Sequence, residues 1–186
     1  HNIYKLNTRR RKNIKYKNNL LYSNYNEILT NSIETKLFLK NKKQNKYCII
    51  LRGHVRDSFN NNRLYTFLSY LIKDLCLDID IYIYTWLKIE AEPDCSWRTL
   101  PVTNEIITTN KIHTYFKDIP IKKLCIVDEK TNVLIGDYSG KIGGTSKKGW
   151  KNMWCGINAI NTIVKDSGIN YYGVINTRID FFGNYI

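Results

Sequence analysis

The sequence predicts an α/β fold, an open, mostly parallel, Rossmann-like sheet with helices on both faces. Three observations predict it. Short apolar runs such as "YCIIL" (47–51) read as strands covered on both faces. Segments of helical spacing separate these runs, as right-handed crossovers between parallel strands require. The length of 186 residues, with 43% hydrophobic content and three prolines, suits one globular domain.

Residues 1–22 are basic and Asn-rich with little periodicity, so they read as a flexible arm, and the α/β domain spans 23–186. Ser23 can cap a helix in which Leu29, Ile33 and Leu37 recur every four residues. A polar break at 40–46 precedes the first strand, 47–51, and "RGHVRDSFNNN" follows it as a loop. Leu64, Phe67, Leu68, Leu71, Ile72 and Leu75 then mark a helix over 63–77. "DIDIYIYTW" (78–86) alternates strictly, as a strand does. The prolines at 93 and 101 make 87–103 a loop. Thr109 can cap a short helix that runs through Phe116, and a third strand occupies 122–127. "GDYSGKIGGTSKKG" (136–149) reads as a glycine-rich loop. The next helix, from Trp150 to about Asp166, places Trp150, Met153, Trp154, Ile157, Ile160 and Val164 on one stripe, and Gly168 ends it. The fourth strand covers 171–177.

The net charge of +13 is unevenly distributed. Residues 1–46 hold twelve Lys/Arg against Glu27 and Glu34, a balance of +10, and the remaining residues carry only +3. The excess is thus a property of the N-terminal region. It reads either as a solvated arm or as a contact for a nucleic acid or another anionic surface. The five cysteines lie 19 to 30 residues apart without C-x-x-C spacing, which argues against a zinc site. Their odd number and apolar surroundings favour a reducing, cytoplasmic compartment. No apolar stretch is long enough to span a membrane.

In an open parallel sheet, ligands bind beyond the carboxyl ends of the strands. Those ends carry Arg52-Gly53-His54-Val55-Arg56, Thr85-Trp86, Asp128-Glu129 and Arg178-Ile179-Asp180. A parallel sheet therefore gathers arginines, a histidine, carboxylates and an aromatic wall on one rim. Gly53 would let phosphate oxygens approach the backbone, and Arg56 would bind them. The plainer readings are a turn with solvated arginines at 52–56 and a structural ion pair between Arg178 and Asp180. Walker A spacing, G-x-G-x-x-G and G-x-S-x-G are all absent.

The residues "ILRGHVRDSF", "DIDIYIYTW", "SWR", "GWKNMWCGINAIN" and "YYGVINTRIDFF" together resemble a group of glycosyltransferases found in large DNA viruses and some bacteria. These look like nucleotide-diphosphosugar transferases with the GT-A fold. The resemblance covers 47–183. It implies a nucleotide-diphosphate sugar as donor, a glycan or protein as acceptor, and a location in the host cytoplasm or virion. It further implies donor binding by Arg52, Gly53, His54, Arg56, Thr85, Trp86 and Arg178. In that fold a D-x-D motif holds Mn²⁺ or Mg²⁺ against the diphosphate. Arg178-Ile179-Asp180 occupies its place, so Asp180 would be the metal ligand and Arg178 replaces the first carboxylate. Only "FFGNYI" follows, so the resemblance implies the donor-binding half of the fold, cut short at its C-terminal side, either as part of a glycosyltransferase or as an inactive glycosyltransferase-like remnant. The alternative is a non-catalytic module whose basic arm contacts nucleic acid or an anionic surface.

Overall fold

The computed structural model describes residues 45–96 and 103–183. The expected arm, the helix after Ser23 and the "WR" of "SWR" lie outside the described residues. The α/β unit begins at Asn45. Its strands are β1 (Lys46–Arg52), β2 (Asp78–Trp86), β3 (Ile121–Val127), the short β4 (Lys141–Ile142) and β5 (Thr145–Ser146), and β6 (Gly173–Arg178). Its helices are α1 (Arg63–Ser69), α2 (Thr109–Phe116) and α3 (Lys147–Asp166). A π-helical turn, Tyr70–Asp74, extends α1.

Four strands form one sheet in the order β3-β2-β1-β6, and every pairing in it is parallel. The alternating side chains of β1 and β2 divide the core in two. Ile49, Leu51, Ile79, Ile81 and Ile83 face α1 and α2, where Leu64, Leu68, Ile112 and Phe116 are buried against them. Cys48, Ile50, Tyr82, Tyr84 and Trp86 face α3 and meet Ile160 and Val164. Both faces of β1 are covered, which is why its apolar run is continuous.

Four expectations are corrected. The cap of α2 is Thr108, whose side chain accepts from the Lys111 amide, and not Thr109, which is the first helical residue. The glycine-rich segment is not wholly a loop, because β4 and β5 pair as an antiparallel hairpin inside it. α3 also starts three residues before Trp150, because the Ser146 side chain accepts a hydrogen bond from the Gly149 amide and caps the helix. The buried stripe of α3 is Asn152, Gly156, Ile160 and Val164, whereas Trp150 and Trp154 are 44% and 50% exposed. The reason lies in β2. A Cβ on Gly156 would stand 3.2 Å from the Tyr84 ring and 3.3 Å from the Trp86 ring, so two aromatics occupy the space a side chain would need.

Candidate functional site

The chain steps from β1 to β2 to β3 on one side and returns to place β6 on the other side of β1. The loops leaving β1 and β6 therefore diverge, and a crevice opens at their carboxyl ends. Arg52 and Arg178, the last residues of these strands, are register partners and project from the same face of the sheet. A cleft of about 310 Å³ opens there. Arg52, Gly53, His54, Arg56, Trp86 and Arg178 line it, together with Cys95, Glu129, Trp150, Met153 and Gly156.

Gly53 turns the chain out of β1 at φ +95, a conformation open to glycine, while its amide donates to the Tyr84 carbonyl at 3.0 Å. Trp86 is buried with its ring edge-on to Tyr84. Trp150, in the first turn of α3, forms the opposite, half-exposed aromatic wall. The loop after β2 is seated on that turn. Ser146 Oγ donates to the Asp94 carbonyl, Lys148 pairs with Asp94 at 2.7 Å, and a Cβ at Gly149 would overlap the Cys95 carbonyl.

His54 lies between two acceptors, with Nδ1 3.0 Å from the Lys88 carbonyl oxygen and Nε2 3.1 Å from Glu129 Oε1. Both hydrogen bonds are made together only when the ring carries two protons or Glu129 carries one. Burial pushes the Cys95 thiol up to about 12, so it remains a neutral wall and not a nucleophile.

The arginines divide into clamped and available groups. Arg56, itself at φ +53, is buried between Glu90 and Asp180, at 2.9 Å from each carboxylate. Arg178 holds Asp180 through two bonds, Nε to Oδ1 at 2.8 Å and Nη2 to Oδ2 at 2.5 Å. Arg52 donates through Nε to Asn176 at 2.7 Å and makes no ion pair among the described residues. Burial, and then the charge of Arg178, lower its pKa.

The structure thus brings Arg52, Gly53, His54, Arg56, Trp86 and Arg178 to one cleft. It does not bring Thr85 there. Adjacent strand residues point to opposite faces, and the buried Thr85 hydroxyl donates instead to the Gly53 carbonyl at 3.0 Å, supporting the turn from behind. Asp180, expected to hold a cation, is 5% exposed at its side chain and bound by two guanidiniums. That donor set does not fit Mn²⁺ or Mg²⁺. Among the described residues, no three His, Cys, Asp or Glu side chains group where they could hold a metal. Glu90 and Asn176 escaped the sequence reading as site residues, and Trp150 was read as part of a buried helical stripe and not as a cleft wall. Glu129 was visible as the exit of β3.

The loops after β1 and β6 are joined behind the cleft. Ser58 Oγ donates to the Ile179 carbonyl at 2.9 Å, Asn61 to that of Phe182 at 3.2 Å, and Arg63 to that of Gly183 at 3.1 Å. No described helix is long and apolar enough to cross a membrane. No family model, curated protein or solved structure matches the chain.

Proposed function

We propose that this domain is glycosyltransferase-like: it binds a nucleotide-diphosphate sugar in the switch-point cleft and passes the sugar to an acceptor hydroxyl. One observation carries this reading. Two in-register arginines, Arg52 and Arg178, flank the crevice where an open parallel sheet takes its ligand. Gly53 leaves the backbone beside them open, since no atom lies within 4 Å of where its Cβ would be. Trp150, half exposed in the cleft wall, offers an aromatic face for a base or a sugar ring, and the buried Trp86 backs the lining. These features, and the likeness of the strand-end motifs to GT-A donor-binding halves, support the same ligand.

The chemistry follows from the lining. A bond forms between the acceptor oxygen and the anomeric carbon as the bond from that carbon to the diphosphate breaks. The electron pair leaves on the diphosphate, where the guanidiniums of Arg52 and Arg178 offset the developing charge. The acceptor proton passes to Glu129, the carboxylate that lines the cleft beside His54. Thermal-shift titration of the full chain with UDP-, GDP- and TDP-sugars tests binding. Stabilisation by at least one donor, lost in Arg52→Ala, is the expected result; no shift with any donor overturns the reading.

A second reading rests on the +10 balance of residues 1–46. There the protein is a non-catalytic module that holds nucleic acid or another anionic surface through this arm. Steeply salt-dependent DNA binding that disappears on deleting residues 1–22, with no response to sugar nucleotides, favours it.

A further inference from the structure

We infer that the cleft holds its diphosphate by the Arg52–Arg178 pair in place of a divalent cation, and that Asp180 is a positioning residue for Arg178 and not a metal ligand. This rests on the reading of the cleft as a diphosphate site.

The Asp180 carboxylate accepts from Arg178 at both oxygens and lies 2.9 Å from Arg56 Nε, with the side chain 5% exposed. A metal ion placed there would have to displace two guanidiniums from the carboxylate they share. It would also sit beside like charges in a poorly solvated site, where repulsion is weakly screened. A buried carboxylate with two arginines is a finished ionic unit. Its effect falls on Arg178: bidentate pairing through Nε and Nη2 fixes the plane of the guanidinium and leaves Nη1 unengaged by Asp180. The Arg178 side chain is 44% exposed and lines the cleft, so this remaining edge meets the ligand space.

Arg52 supplies the second half. Its Nε is spent on Asn176, so its terminal nitrogens remain for a ligand, and it has no described carboxylate at ion-pair distance. Arg178 sits opposite it in the register between the two parallel strands. Burial and the neighbouring charge of Arg178 disfavour the Arg52 cation, and the Asp180 carboxylate offsets this only in part. A diphosphate placed between them meets planar donor forks of the kind that bind phosphate oxygens in pairs. It also relieves the repulsion that Asp180 leaves between them. Two fixed positive charges thereby perform the neutralisation that a divalent cation performs elsewhere.

Calorimetric titration of the full chain with inorganic pyrophosphate and with UDP, GDP and TDP, each in excess EDTA and again in Mn²⁺, tests this. The expected result is binding in EDTA, with Mn²⁺ changing Kd less than about threefold. Arg52→Ala and Arg178→Ala are each expected to weaken it about tenfold or more in both buffers. Arg178→Lys keeps the charge but loses the fork to Asp180, and is expected to weaken binding nearly as much as Arg178→Ala. Asp180→Asn, with folding checked by circular dichroism, should weaken binding by the same factor with and without Mn²⁺. Binding that requires Mn²⁺ and vanishes only in the Mn²⁺ arm of Asp180→Asn overturns the inference while leaving the donor reading intact. Absence of binding in both buffers overturns both.

Discussion

Individual side chains at the cleft owe their roles to what surrounds them more than to their type. Arg56 and Arg52 are four residues apart, yet one is locked between Glu90 and Asp180 while the other donates to the Asn176 amide and makes no ion pair among the described residues. The cysteines separate in the same way. Burial pushes Cys48 up to about 11 and Cys95 up to about 12, whereas Cys76 is exposed. At pH 8, iodoacetamide is therefore expected to label Cys76 before Cys48 or Cys95, which peptide mass mapping reads directly. The same shifts act on stability. In the unfolded chain these thiols ionise near their ordinary value of 9.0, but in the folded protein they remain protonated. Their contribution is intact below pH 9 and is lost as pH rises toward 11 to 12. Raised Tyr84 and Tyr171, both held up first by burial, act in the same direction. The urea midpoint should hold between pH 7 and 8.5 and fall above pH 9; a midpoint that rises there contradicts this account.

Elements were legible where a period was present. The strand at 78–86 and the helix marked by Leu64 and Leu68 emerge from alternation and helical spacing, and both occupy the places those patterns imply. Where a buried face is made by what is missing, hydropathy is silent. Gly156 sits at the centre of the α3 contact because it has no side chain, so a reading by apolar residues rotates the helix toward Trp150 and Trp154. The start of α3 was hidden for a related reason, since its cap, Ser146, stands among glycines and lysines. Site residues were legible at strand ends, because parallel strands share a rim. Thr85 was misplaced by one position in a two-residue alternation. Of the two partners of Asp180, Arg178 was legible two residues away as a structural ion pair, whereas Arg56 comes from a loop whose course no local pattern records. Gly156→Val tests the packing account. Its added methyls meet Tyr84 and Trp86, and overpacking of this kind costs about 1–3 kcal/mol. Guanidinium chloride denaturation should show that loss, while Asn158→Ala, on the exposed side of the same helix, stays within about 0.5 kcal/mol of the parent.

At the scale of the molecule, a four-stranded parallel sheet with its order reversed at β1 is enough to open a crevice at its carboxyl end. The charge that makes the whole chain so basic belongs largely to residues 1–46, whereas the proposed diphosphate site rests on Arg52 and Arg178 among the remaining residues. Bulk charge and the proposed local function are therefore separate quantities in this protein. A mechanical consequence comes from the three hydrogen bonds that Ser58, Asn61 and Arg63 donate to the backbone at 179–183. Tied at their backs, the lips of the cleft are expected to open and close as a unit. In amide deuterium uptake, segments 53–63 and 178–183 should exchange at matched rates and slow in concert when pyrophosphate is added. Cutting the tie with Ser58→Ala should let the two segments report different opening free energies, turning one hinge into two.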